Sequence, residues 1–165
     1  MKERPTRKPN RLHGYDYSQN GAYFVTVCTK NRVEYFWEPN VGAIIDRPPW
    51  DAILSREGRI VRQSIQMLKT QYPFLLLENY VIMPNHIHLL LLFQYPDSGR
   101  SVSAPTDLST VVRHMKGYAT REIGFNLWQK SFHDHVIRSE KDHKMIFDYI
   151  EQNPENWKQD CFFQN

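Results

Sequence analysis

The run Met83-Pro84-Asn85-His86-Ile87-His88 places two imidazoles two residues apart. In an extended strand alternate side chains share a face, so His86 and His88 project the same way and Ile87, Leu89 and Leu91 project the other way into apolar packing. Two imidazoles side by side at a strand end can chelate a divalent cation. They can equally be hydrogen-bonded histidines on a sheet face. A second run, Tyr149-Ile150-Glu151-Gln152-Asn153-Pro154, has helical spacing. Tyr149 and Asn153 then lie one turn apart, with Ile146 and Ile150 as the neighbouring apolar stripe. A helical tyrosine also serves as ordinary packing, and Asn153 also suits a helix end before Pro154.

Taken together, a phenol, two imidazoles and an amide oxygen suffice for a phosphoryl-transfer site. His86, His88 and Asn153 would hold the ion, which would act as a Lewis acid on a scissile phosphate. Tyr149 would attack phosphorus and become a covalent phosphotyrosine. A phenol ionises near pH ~10, so this nucleophile needs a nearby cation or base. A further His-x-His, His133-Asp134-His135, precedes the tyrosine run. Asp134 and His135 are expected to orient the site from behind its ligands rather than to ligate the ion.

These residues need elements to position them. Ala22 to Thr29 is β-branched and aromatic, which predicts a strand. Residues 38–50 read as a surface excursion. Apolar spacing predicts a helix from Ala52 to Thr70, with Gly58 as a weak point beyond which it can begin. Phe74–Met83 and His86–Phe93 read as strands, and their near-continuous hydrophobicity predicts central positions in a sheet. Residues 94–105 have loop composition. Asp107 or Thr106 can cap a helix that Gly124 stops after Ile123. Phe132–Arg138 reads as a short strand and Lys141–Asn153 as a final helix ended by Pro154. The order β-α-β-β-α-β-α predicts an α+β fold. It is a ferredoxin-like split βαβ sandwich, an antiparallel sheet with helices on one face and an added C-terminal helix bearing the tyrosine. That fold hosts many activities and fixes none.

The 165 residues suit one domain, taken as 21–165 behind a basic, flexible arm over 1–20. A hydrophobic share of 41% and an aromatic share of 13% argue against disorder. No stretch reaches the ~20 apolar residues a membrane span needs. The N-terminus lacks the apolar segment of a secretory signal. Cys28 and Cys161 give neither a disulfide framework nor a CxxC pair, which predicts a reducing, cytoplasmic address, at the nucleoid when bound to DNA. The net charge of +3 is too mild to prove a nucleic-acid partner. Arg7, Lys8 and Arg11 of the arm, with Arg113, Lys116, Arg121, Lys130 and Arg138, are the candidate phosphate contacts. A solvated tail and a solvated helix face explain the same residues. Tyr15, Tyr17, Trp37 and Trp128 are candidate platforms for stacked bases, although Trp128 suits a core equally.

Several blocks in order now point to one family. YFVTVCTKNR, LENYVIMPNHIHLLL, WQKSFHDHVIR and YIEQNPENW, spread between Gly21 and Asp160, resemble the HUH single-tyrosine transposases and, within them, the REP-associated tyrosine transposases. The resemblance implies single-stranded DNA, next to a hairpin or inverted repeat, as the partner. It implies a nick that leaves the tyrosine on the 5′ phosphate and a free 3′ hydroxyl, and rejoining without ATP. It assigns Tyr149 as nucleophile, His86, His88 and Asn153 as ligands of Mg²⁺ or Mn²⁺, and Ile87 as the hydrophobic residue between the histidines. It leaves monomer and homodimer open. Two other classes fit parts of the pattern. One is a non-cutting single-stranded nucleic-acid-binding module descended from a transposase. The other is a zinc hydrolase, which would want a further His, Asp or Glu ligand and no Tyr149.

Overall fold

A computed structural model describes residues 14–39, 50–95 and 106–163. Its elements are β1 (Gly21–Cys28), α1 (Arg56–Gln71), β2 (Leu75–Met83), β3 (His86–Phe93), α2 (Leu108–Ile123), β4 (His133–Ile137) and α3 (Glu140–Gln152). The strands form one antiparallel sheet in the order β2-β3-β1-β4, the split βαβ arrangement expected from the element order. Most of the excursion at 38–50, most of the loop at 94–105, and Arg7, Lys8 and Arg11 lie outside the described residues.

The helices begin and end where the sequence supplies caps. Ser55 accepts the amide of Gly58 at 3.0 Å and starts α1. Residues 52–53, expected to open this helix, belong instead to a separate 3₁₀ turn over 50–53. Gly58 lies inside the first turn of α1, so the helix begins before it rather than beyond it, and only glycine fits there because a Cβ would sit 2.2 Å from the carbonyl oxygen of Phe36. Asp107 caps α2 through the amide of Thr110 at 2.8 Å, and Gly124 ends it at φ 96°. Ser139 caps α3 through the amide of Asp142 at 3.1 Å.

The two faces of the sheet are packed separately. Tyr23, Val25, Val27, Ile87, Leu89, Leu91 and Phe93 bury one face under Val61, Ile65 and Leu68 of α1 and Val111, Val112 and Met115 of α2. Val81, Met83 and Leu90 form a smaller core on the other face with Ile150 of α3. A bulge between Leu77 and Asn79 makes this possible. One extra residue in β2 reverses the alternation, so Leu75 and Leu77 join the larger core while Val81 and Met83 turn to α3.

Two expectations need correction. The apolar run of β2 predicts a central strand, but β2 pairs with β3 alone and stands at the edge of the sheet with Leu76 exposed. Its apolarity reflects service to two cores through the bulge. The arm was bounded at residue 20, yet Tyr17 is buried in the larger core, its carbonyl accepts the amide of Leu108, and Asn20 accepts the amide of Tyr95 at 2.6 Å. Residues 15–20 therefore pack on the body of the domain.

Candidate active site

The β2–β3 turn sets the histidine pair. Pro84 offers its carbonyl to the amides of Tyr35 and Phe36, and Asn85 offers its own to the amide of Thr29. The chain after β1 thus clamps the turn that delivers His86. Asn85 is fully buried, and its side-chain NH₂ donates to the carbonyls of Arg32 at 3.2 Å and Phe162 at 2.9 Å. Two carbonyl partners fix which end of the amide is nitrogen. Its Oδ1 therefore faces His86 Nδ1, at 2.9 Å, and requires that nitrogen to carry the proton. His86 Nε2 is left with a free lone pair. On the next same-face position His88 Nδ1 meets the Thr26 hydroxyl at 2.8 Å, across the β1–β3 pairing that sets Thr26 opposite His88.

The two Nε2 atoms face each other 3.1 Å apart. Burial, with the Arg32 charge adding to it, brings the His86 imidazole down to about 3. Burial, and then the neighbouring His86, hold His88 well below its ordinary value. Both rings are neutral at physiological pH, the form that binds metals.

Helix α3 carries the phenol to this pair. It is tied to the sheet by His143 to Glu78, the bulged residue, at 2.7 Å, by Asn79 to Glu151 at 2.8 Å, and by His135 to Asp142 at 2.8 Å. Tyr149 OH stands 3.4 Å from His88 Nε2. Phe24 lies beneath both, stacked on His88 at 5.0 Å and edge-on to Tyr149 at 6.0 Å. Burial pushes the phenol up to about 12, the Asp160 charge adds to it, and a hydrogen bond from Asn153 works against both. Tyr149 is nonetheless 42% exposed, whereas His86, His88 and Asn153 are buried.

The donor set fits a divalent ion. Ligands at right angles on an octahedral ion with bonds of ~2.1 Å lie roughly 3 Å apart, which the two Nε2 atoms match. Asn153 Oδ1 is buried and accepts no hydrogen bond from any described residue, an arrangement proteins avoid unless something else fills the role. A carboxylate, Asp160, brings an oxygen within 4.8 Å of both histidine nitrogens. No spacing in the sequence points to Asp160, because it lies in irregular chain beyond α3. The supporting roles of Asn85 and Thr26 also escaped notice, although Asn85 stands inside the motif itself.

Other expected residues fall elsewhere. His135 is on the histidine face but spends its Nε2 on Asp142 of α3. Asp134 pairs with Val25, whose side chain belongs to the opposite core, so it is turned away from the histidine pair and does not orient it. Arg113 and Arg121 are exposed on α2, across the sheet from Tyr149, and Arg121 meets Glu122 at 3.4 Å. Lys130 and Arg138 are exposed. Lys116 and Lys130 line a cavity of about 880 Å³ with Lys30 and Arg32, two cations the sequence reading passed over. Tyr17 and Trp128 are buried core and offer no free ring face to a base. Tyr15 and Trp37 are half-buried.

Comparison with known proteins gives a consistent set. No family model matches the chain. An uncharacterised protein of Haemophilus influenzae is 30% identical over 180 aligned positions, spanning 95% of this chain and 93% of its own. A protein of Escherichia coli named REP-associated tyrosine transposase is 27% identical over 139 positions, 84% of this chain and 68% of its own. A solved structure described as a REP-associated tyrosine transposase bound to a REP hairpin superposes with a TM-score of 0.60 at 24% identity, over 89% of this chain and 74% of its own. That last likeness speaks for the fold.

Proposed function

The chain belongs to the family of REP-associated tyrosine transposases, and from that premise we propose that it nicks and rejoins single-stranded DNA beside a hairpin, using Tyr149 as nucleophile. The observation that carries the reading is the convergence of the Tyr149 hydroxyl, 3.4 Å from His88 Nε2, on a buried imidazole pair whose Nε2 atoms are 3.1 Å apart. His86, His88 and the orphaned Asn153 oxygen would hold Mg²⁺ or Mn²⁺. When bound, that ion supplies Lewis-acid polarisation of the phosphate and offsets the charge of the ionised phenol.

The chain's own residues do the rest. Tyr149 oxygen bonds to phosphorus as the bond from phosphorus to the 3′ oxygen breaks. The phenol loses its proton and the departing 3′ oxygen takes one up. The product is a 5′-phosphotyrosine and a free 3′ hydroxyl, and attack by another 3′ hydroxyl reverses the step and rejoins DNA. Asn85 holds His86 in the tautomer required, and Thr26 orients the His88 ring. Lys30, Arg32, Lys116 and Lys130 supply a basic surface for the strand. The hairpin enters through the relative bound to one, and the setting is the cytoplasm, where such DNA resides.

The test is a labelled, hairpin-bearing single strand incubated with the protein and Mg²⁺ or Mn²⁺, then resolved on a denaturing gel. A covalent adduct is expected that disappears in Tyr149→Phe and with EDTA. His86→Ala should stop cleavage and keep most of the DNA affinity, because phosphate contacts are distributed. Asp160 supplies the third ligand that a zinc hydrolase would need, so that second reading has a footing. Cleavage persisting in Tyr149→Phe would establish it. Binding without cleavage over many hairpins would leave a non-cutting module.

A further inference from the structure

The sheet face that carries the histidine pair runs on past β3. Thr26 of β1 stands opposite His88 on one side and opposite His133 of β4 on the other. Side chains directly opposite one another in antiparallel strands share a face, so His88, Thr26 and His133 form one row across the sheet. The next row holds Leu90, Phe24 and His135. Helix α3 packs over β2 and β3, and the β1–β4 half of the face begins beside Tyr149, where Phe24 meets the phenol edge-on at 6.0 Å. His133 is exposed, and its ring has no hydrogen bond or ion pair with any described residue. Just before it, Lys130 and Ser131 line the basic cavity with Lys30 and Arg32.

A nick needs a proton at a definite place. As the Tyr149 oxygen bonds to phosphorus, the bond to the 3′ oxygen breaks and its electron pair leaves on that oxygen. In-line displacement sets the departing oxygen on the far side of phosphorus from the attacking one. The phenol comes from α3, above β2 and β3, so the far side is that of β1 and β4. Two strand spacings of ~4.8 Å set His133 roughly 10 Å from His88. One phosphate with a contact of ~3 Å at each end fits that span.

We propose that His133 is a further catalytic residue. As imidazolium it gives its proton to the departing 3′ oxygen in the nick, and as imidazole it takes the proton of the attacking 3′ hydroxyl on rejoining. The phenol proton passes to solvent. This rests on the nicking reading above and deepens it, since one side chain serves both directions of a reversible step. An imidazole gives and takes a proton near neutral pH. The titratable and charged groups that face His133 are His135 with Asp142 of α3 along the strand, His88 and Tyr149 across β1, and Lys130 before it. Of the imidazoles, His135 spends its Nε2 on Asp142 and His88 belongs to the buried pair, which leaves His133 for the task.

The experiment uses the full chain with Mn²⁺ and a hairpin-bearing single strand made in two versions. One has the ordinary 3′ oxygen at the mapped cut, the other sulphur in that bridging place. Sulphur departs as a thiolate and needs no proton. His133→Ala is expected to slow adduct formation about 100-fold on the oxygen strand, the scale of general acid catalysis, and to leave the rate on the sulphur strand unchanged. His133→Gln, which keeps a hydrogen-bonding group but transfers no proton, should behave in the same way. Mn²⁺ affinity, read by electron paramagnetic resonance, and DNA affinity should match those of the parent in both variants. Equal slowing on the two strands overturns the proton-transfer role, and so does an unchanged rate on the oxygen strand. Tyr149→Phe tells this failure from a deeper one: if it cuts the oxygen strand, or if the parent forms no adduct, the nicking reading itself is wrong and the role of His133 goes with it.

Discussion

The two faces of the sheet divide stability from chemistry. Under α1 and α2 the face is mostly apolar, with Val25, Val27, Ile87, Leu89 and Leu91 at 0% exposure and Asp134 of β4 as a polar exception. Under α3 the buried set mixes Val81, Met83, Leu90 and Ile150 with Thr26, His86, His88 and Asn153. A single strand, β3, serves both, because its odd-numbered residues face one way and its even-numbered residues the other. The larger core holds the strand still. The smaller one carries the polar groups of the candidate site, among them the orphaned Asn153 oxygen, while Trp128 Nε1 and Asp134 Oδ1 are orphaned beside the larger core.

If the division is right, neighbouring substitutions on β3 and α3 will separate activity from stability. Tyr149→Phe should abolish the adduct, the largest effect expected anywhere in the chain. It should leave the thermal midpoint nearly unmoved, since the residue is 42% exposed and its hydroxyl stands a long 3.4 Å from His88 Nε2. Leu89→Ala should do the reverse. Truncating a fully buried leucine costs about 2–5 kcal/mol, readable as a drop in the urea midpoint, while the folded fraction still forms adduct. Loss of adduct in fully folded Leu89→Ala protein would show that the faces are coupled more tightly than the packing indicates.

Gly58→Ala probes the larger core from its edge. A new methyl would meet the backbone oxygen of Phe36 at 2.2 Å, and backbone yields less readily than a side chain. Overpacking of this kind costs roughly 1–3 kcal/mol. Because Phe36 also hangs from the Pro84 carbonyl that braces the histidine turn, this variant sharpens the comparison. A stability loss accompanied by unchanged Mn²⁺ affinity would show that the brace holds locally.

These contrasts also show what a sequence can and cannot reveal about such a molecule. The fold was legible because its periodicities are clean: alternation in β3, amphipathic spacing in α1 and α2, and caps at Asp107 and Gly124. The convergence of the candidate site residues was legible because His86 and His88 share a strand face, while Tyr149 and Asn153 share a turn. The edge placement of β2 was not, because a bulge at Glu78 lets an edge strand look like a central one. Asp134 misled for a related reason, since a His-x-His label says nothing about the residue between, which faces the other way. Asp160 was invisible because its approach to the histidines depends on irregular chain fastened by Arg32 and Asn85, contacts far apart in sequence.

A subtler effect belongs to Thr26. Its hydroxyl is the partner of His88 Nδ1, and Thr26→Val keeps the shape while removing that partner. A metal ligand that loses its orienting hydrogen bond typically loses about 10- to 100-fold in ion affinity. The expected result is therefore weaker Mn²⁺ binding, measured by titration, with a smaller change in folding than Leu89→Ala produces. An unaffected Mn²⁺ affinity would mean that Phe24, stacked on the same ring, orients His88 unaided.

The smallest effect tests how far the DNA surface extends around the sheet. Lys130 lines the basic cavity on the side of Arg32, whereas Arg113 lies on α2 in a separate groove with Gln71 and His114. Lys130 belongs to the cavity that supplies the proposed basic surface, and Arg113 does not. Lys130→Ala should lower DNA affinity modestly and reduce the slope of log affinity against log salt by about one, the signature of a single lost phosphate contact. Arg113→Ala should leave that slope unchanged. Equal slopes for the two variants would place the strand across both faces, and the face under α1 and α2 would then share in the chemistry it otherwise only supports.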